Sequence, residues 1–305
     1  MARLRKNRGC PRVRLVDFAF VSDKRPPGAL GLDLRSKDPR PCGLCGDLRR
    51  MSRAHVPPQV AGNSRDVTSS IVLIANGIRR NGRSTSGGVW VRGLCEKCNS
   101  LAGARYDSAY GDFVQRIRSY GRLSGRFHLP EPWSPPAVSV APGRVARSVM
   151  FGMFAISPHL RELFPELAAD LSAGRAHITI PDKLSLRYAM YPDRVARLTG
   201  PVYSQRVLGR REHYRTFAEI FFPPLAWVLT SGDHLSPGGA ESILDLQGWA
   251  EATTWLRYGD DVTSTDLRNL CRRLPVVTHP LSDPSEWLEM FSDEITPILE
   301  GIVPM

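Results

Sequence analysis

Four of the six cysteines in this 305-residue chain fall in two Cys-x-x-Cys pairs, Cys42-Gly-Leu-Cys45 and Cys95-Glu-Lys-Cys98. A two-residue spacer lets both sulfurs of a pair reach one ion at about 2.3 Å, and two such knuckles complete a tetrahedral zinc site. The ion then ties two distant segments together, which constrains the fold more than any other feature here. A redox reading competes, but a thioredoxin-like pair opens a helix in a βαβ unit and comes singly. The paired knuckles therefore favour a structural Zn²⁺ held by Cys42, Cys45, Cys95 and Cys98. Cys10 and Cys271 are left over and read as unpaired thiols in a loop or a packed core.

The compartment expected for such thiols is a reducing one. Met1 to Arg14 is basic, but no apolar stretch follows it as in a secretory leader, and no apolar run approaches the roughly 18 residues that span a bilayer. These points predict a cytoplasmic chain whose cysteines bind metal rather than pair.

Charge divides the chain more sharply than its net value of +11 suggests. Residues 1–126 carry 25 Lys or Arg against 9 Asp or Glu, a net +16, and residues 127–305 carry 16 against 21, a net −5. A basic surface neutralises phosphates and releases counterions, which drives nucleic-acid binding. A solvated arginine surface of uniform bias would not stop near residue 126, so nucleic acid is the expected partner.

Composition shifts place the boundaries. Residues 1–38 read as a basic arm with a possible short strand at Val13 to Val21, and a free solvated tail reads nearly as well. Residues 39–126 hold the two knuckles. Residues 127–143 are rich in proline (Pro130, Pro132, Pro135, Pro136, Pro142), the composition of a linker. Residues 144–305 then form a separate C-terminal domain. Within 39–126, Ser69 to Ala75 and Gly88 to Arg92 read as strands joined by a flexible basic loop over 76–87, with Arg79, Arg80 and Arg83 as nucleic-acid contacts. A helix is expected from Asn99 to about Tyr120, carrying Arg105. Beyond the linker, Arg144 to Leu171 reads as amphipathic helix broken at Ser157-Pro158, with Val145, Val149, Phe151, Met153, Phe154 and Ile156 facing the core. Strands are expected over 176–180, 184–190, 202–207, 216–222, 226–230 and 252–258, and a helix over 287–302. His159, His177, His213, His234 and His279 lack metal-ligand spacing, and no Gly-rich phosphate loop is present.

The residues between and after the knuckles resemble the HNH endonuclease family, in particular its zinc-knuckle branch. The resemblance rests on Cys42-Gly-Leu-Cys45, then Arg53-Ala-His55-Val-Pro57, then Cys95-Glu-Lys-Cys98-Asn99 and the stretch to Asp107, and covers about residues 40 to 120. It implies a ββα-metal finger, with His55 as the general base that activates water, and Asn99 and Asp107 helping to hold a catalytic Mg²⁺ or Mn²⁺. The residues themselves are compatible with these roles. Asn99, Gly103 and Asp107 fall at i, i+4 and i+8 and share one helix stripe, and Asn and Asp oxygens suit a hard cation. Simpler roles compete: His55 as a neighbour of the zinc or a surface residue, Asn99 as a helix N-cap, and Asp107 as a solvated acid beside Arg105. Ala54 is a departure, because many members carry an acidic metal ligand immediately before the histidine.

The expected fold is α+β, an N-terminal zinc-stabilised finger with a separate C-terminal α+β domain. The expected function is metal-dependent hydrolysis of DNA, with the C-terminal domain selecting targets or joining copies of the chain. The family resemblance suggests a setting in phage defence or a mobile element. The alternative is a non-catalytic zinc-containing nucleic-acid-binding protein with a degenerate HNH site.

Overall fold

A computed structural model of the chain describes residues 35–75, 78–124, 137–182, 184–200, 202–204, 213–231, 246, 248–282 and 296–304. Cys10, most of the basic arm with its expected strand, and most of the proline-rich stretch lie outside these residues.

Short strands shape the first half. β1 (Arg40–Pro41) and β2 (Leu48–Arg49) pair antiparallel around the first knuckle. β3 (Ala54–His55) follows, then β4 (Thr68–Ala75), β5 (Ile78–Asn81) and β6 (Thr85–Ser86). β7 (Trp90–Val91) returns to pair with β3, setting His55 opposite Trp90. The second knuckle starts α1 (Glu96–Arg105), and α2 (Asp107–Ser124) follows after a break at Tyr106. The expected single helix from Asn99 is thus two. Tyr106 leaves helical geometry (φ −123°, ψ −36°) while its ring is buried 5.5 Å from Phe151.

The second half begins with β8 (Val138–Val140) and α3 (Pro142–Ile156), then α4 (Leu160–Leu163) and α5 (Pro165–Ser172). The helical stretch and its break at Ser157-Pro158 match the sequence reading. Burial goes further than expected, because nearly every residue of α3 is covered, not one stripe. A helix apolar on most sides belongs inside a core. Its buried cation, Arg147, donates to the carbonyls of Gly259 (3.1 Å) and Ala176 (2.6 Å).

Strands β9 (Leu184–Met190), β10 (Val195–Thr199), β11 (Val202–Ser204), β12 (His213–Thr216), β13 (Ala218–Phe222), β14 (Leu225–Ser231), β15 (Ala250–Glu251) and β16 (Thr263–Thr265) follow, then α6 (Leu267–Arg273) and β17 (Thr296–Ile302). Among the described residues, the main sheet runs β15-β9-β14-β13-β10-β17-β4-β5, with β6 also on β4, and all its pairs are antiparallel.

In this order the two halves of the expected division share one sheet. β4, from the knuckle half, pairs with β17 over seven residues, Thr68↔Ile302 to Ile74↔Thr296. One hydrophobic core takes in Met51, Val56 and Val91 together with Phe154, Ile220 and Leu299. The fold is α+β, but a finger separate from a C-terminal domain is not what the sheet builds. Four local expectations also fail. The basic loop over 76–87 is largely a hairpin extending the sheet through β5 and β6. Residues 176–180 form no strand, and 253–258 form a 3-10 helix whose Thr253 hydroxyl accepts from Leu186 N at 2.7 Å. The end of the expected 287–302 helix is β17; residues 283–295 lie outside the described set. Pro297 is tolerated there because it pairs only with β4, one residue beyond the β10 ladder, which starts at Ile298↔Thr199. No helix among the described residues is long and apolar enough to cross a membrane.

A candidate metal knuckle and an adjoining histidine cleft

The turn after β1 and the strand-to-helix junction after β7 bring Cys42, Cys45, Cys95 and Cys98 together. Their sulfurs all lie within 4.8 Å of one another, and Cys45 and Cys95 are 3.8 Å apart. A tetrahedron with metal–sulfur bonds of about 2.3 Å has edges of roughly 3.8 Å, so the cluster can hold a metal ion such as zinc. The thiol chemistry agrees. The hydrogen bond from Cys98 holds Cys42 down at about 4, with the backbone N–H of Cys95 also donating to it at 3.3 Å. Cys45 is pushed up to about 11, chiefly by burial, and Cys98 is pushed up by its bond to Cys42 and by burial. Without a cation only one thiolate is comfortable; a divalent ion offsets the repulsion among all four.

The knuckles are seated on the second half of the chain. Arg161 donates from Nη1 to the carbonyl of Cys42 at 2.6 Å. Gly93, just ahead of the second knuckle, lies so close to α3 that a Cβ there would stand 1.8 Å from the Ala155 carbonyl oxygen. Cys271, in α6, is buried away from the cluster and pushed up to about 11 by burial.

His55 is on β3, one strand from the metal knuckle, and is not part of the sulfur cluster. Its Nε2 lies 3.0 Å from the carbonyl oxygen of Gly87. A carbonyl only accepts, so Nε2 carries the proton and Nδ1 keeps a lone pair. Burial, with a smaller push from the Arg53 charge, holds the imidazole below its ordinary pKa against the opposing Gly87 hydrogen bond. The ring is therefore neutral near pH 7 and fit to accept a proton at Nδ1.

Two supports hold this histidine that the sequence reading did not single out. Asn63 is fully buried; it donates to the carbonyls of Pro57 (2.7 Å) and Val89 (2.8 Å) and accepts from Val89 N (2.7 Å). It thereby staples the segment after His55 to the strand opposite. Gly88 has φ +90°, and a Cβ on it would lie 3.0 Å from the His55 ring. The sequence reading ends the basic loop at Gly87 and starts a strand at Gly88, so nothing in it marks the pair for this role.

A cleft lined by Ala54, His55, Asn99, Asp107, Tyr110 and Ser148 brings the family-matched residues together. Asn99 lies inside α1, whose N-cap is Cys95, so its side chain is not a cap. It donates from Nδ2 to the Arg53 carbonyl at 3.0 Å, which leaves Oδ1 as an acceptor. Asp107 begins α2 rather than sharing a continuous stripe with Asn99. It is partly buried and accepts from Ser148 Oγ at 2.8 Å. Burial raises its pKa, partly opposed by that hydrogen bond. Ser148 and Gly152 of α3 and Ile220 of β13 also line the cleft. The second half thus supplies part of the site, and no sequence motif announced it.

The expected nucleic-acid contacts fare differently. Arg105 is engaged with the second half, donating to the Gly174 carbonyl at 2.5 Å and to Asp260 at 3.3 Å. Its carboxylate partner is Asp260 rather than Asp107. Arg79 and Arg80 are on β5, and Arg83 is exposed between β5 and β6. No protein family, no curated protein and no solved structure matches the chain.

Proposed function

We propose that the chain is a metal-dependent HNH endonuclease that hydrolyses DNA phosphodiester bonds, with His55 as general base and a structural zinc at Cys42, Cys45, Cys95 and Cys98. The observation that carries this reading is the shared cleft. His55, Asn99 and Asp107, matched to the family by motif alone, line one cavity beside the sulfur cluster. His55 Nδ1 is the atom that takes the proton from water, and the Gly87 carbonyl fixes the tautomer that makes it available. Asn99 Oδ1 and the Asp107 carboxylate are oxygen donors that fit a hard cation and would hold Mg²⁺ or Mn²⁺. When bound, such an ion stabilises negative charge on the phosphate and its leaving oxygen. The +16 of residues 1–126 supplies the attraction for the DNA backbone.

A second reading, a non-catalytic nucleic-acid-binding protein, is favoured by one observation. Ala54 lines the cleft and is buried where many family members place an acidic metal ligand. The deciding experiment uses supercoiled plasmid with Mg²⁺ or Mn²⁺. The nuclease nicks or linearises it, and His55→Ala lowers the rate by roughly 10²-fold or more while bound zinc and DNA affinity stay unchanged. Binding without cutting by the wild type, with either metal, selects the second reading.

A further inference from the structure

Directly opposite His55 in the β3–β7 pair stands Trp90, and cations crowd its indole ring. The guanidinium carbon of Arg53 is 4.5 Å from the ring centroid, that of Arg35 is 4.6 Å away, and that of Arg92 is 5.8 Å away. Cation–π attraction accounts for stacking an arginine on an indole. It does not account for three like charges on one ring, none of which has a carboxylate partner among the described residues. Burial and the Arg53 charge push Arg35 below its ordinary pKa, and burial with Arg53 and Arg50 does the same to Arg92. Each cation raises the cost of the next.

Hydrogen bonds hold two of these arginines in place. Arg35 is pinned by Thr85 Oγ1 (2.9 Å) and Ser69 Oγ (2.8 Å), and Arg92 by the Met51 carbonyl (2.7 Å). Yet Arg35 Nε, Arg92 Nε and Trp90 Nε1 are buried with no acceptor among the described residues. Trp90 itself is only 7% exposed. Most buried side-chain donors in native proteins have a partner, and each orphan is costly. Three N–H donors thus lie around one ring, on β7 and on the segments of Arg35 and Arg92, beside cations with no carboxylate partner among the described residues, and an oxyanion is the group that would satisfy both. Arg53 is the solvent-exposed member of the group and the one an arriving anion meets first.

We propose that Trp90, Arg35, Arg53 and Arg92 form an oxyanion pocket that grips a phosphate of a nucleic-acid backbone on the strand opposite His55. Only the choice of nucleic acid rests on the nuclease reading. The pocket offers indole and guanidinium donors of fixed geometry, which suit a phosphate oxygen better than a lone lysine does. Held there, one phosphate sets the register of the strand whose neighbouring bond lies in the His55 cleft.

The test is binding, done without added Mg²⁺ or Mn²⁺ so that no cleavage intervenes. Full-length protein is titrated into a labelled 20-base-pair duplex, and anisotropy is read over a range of salt. Arg53→Gln alters an exposed side chain, so folding is not at stake. It should weaken binding about tenfold and reduce the slope of log K against log salt by about 0.9, the value of one lost phosphate contact. Trp90→Phe keeps an aromatic face and the charge but deletes the N–H, so it should weaken binding without changing the slope. In parallel, inorganic phosphate is added to ¹⁵N-labelled protein. The indole resonance that disappears in Trp90→Phe should be the one that shifts. A phosphate-induced shift with unchanged duplex affinity in both variants keeps the pocket but assigns it to free phosphate. No shift, with duplex affinity lost only in Arg53→Gln, makes Arg53 a general surface charge and overturns the pocket; no change in either assay overturns it outright. Duplex binding that follows these expectations in a protein that never cuts plasmid sinks the nuclease reading and leaves the pocket standing.

Discussion

At the scale of single residues, His55 and Asp107 are both shifted by burial in the cleft, His55 downward and Asp107 upward, and the proposed general-base step falls to His55. Its folded pKa lies below the ordinary value of about 6.5, so the neutral base persists as pH falls through that value. Activity should then decline on an acid limb centred below pH 6.5. The Arg53 charge helps to hold the pKa down, so Arg53→Gln should move this limb to higher pH. A profile of kcat against pH for the two proteins checks both the position and the direction. Asn63 is the second residue with a measurable role. Asn63→Ala leaves the Val89 N–H and the Pro57 carbonyl without the partner they have now. It should cost about 1–3 kcal/mol, the usual penalty for orphaned buried polar groups, read as a lower urea midpoint with an unchanged slope.

At the scale of elements, the knuckle acts as a rivet between β7, α1 and the end of α3. Cys95→Ser should release the metal and loosen more than its own segment, because the Gly93 backbone packs on Ala155 and Arg161 caps the Cys42 carbonyl. Amide exchange in the mutant should quicken in α3 as well as α1, with zinc loss shown by elemental analysis. Quickening confined to residues 40–120 would mean the rivet serves only the first half. Much of this level was legible in sequence. The Cys-x-x-Cys spacing points to a shared metal site whatever the surrounding fold, and β9 and the break after Ile156 follow from alternation and from Ser157-Pro158. Other elements were illegible for physical reasons. The 3-10 helix over 253–258 has the β-branched, aromatic composition of a strand, and only its docking on Leu186 decides between them. The helix break at Tyr106 carries no glycine or proline to mark it. Ser148, which fixes Asp107, is an ordinary serine in a helix until the tertiary fold puts it opposite a carboxylate.

At the scale of the whole molecule, the sheet determines what can be cut away. A fragment of residues 1–126 keeps both knuckles and His55 but strips β17 from β4, exposing an edge seven residues long. It should be prone to aggregation, and limited proteolysis should cleave it within β4, where the full chain resists. A soluble, protease-resistant fragment would show that the knuckle half closes on its own. The interleaving of β4 and β17 has a further result during synthesis. Ribosomes add about 5–20 residues per second, so roughly 220 intervening residues leave β4 waiting on the order of 10–45 s for its partner. During that interval the arginine-rich half has already left the exit tunnel, while the surface that shapes its cleft is still being made. The second-half lining of the cleft, Ser148, Gly152 and Ile220, is made only after the arginine-rich half, so the nascent chain passes through its most basic state before the cleft is complete.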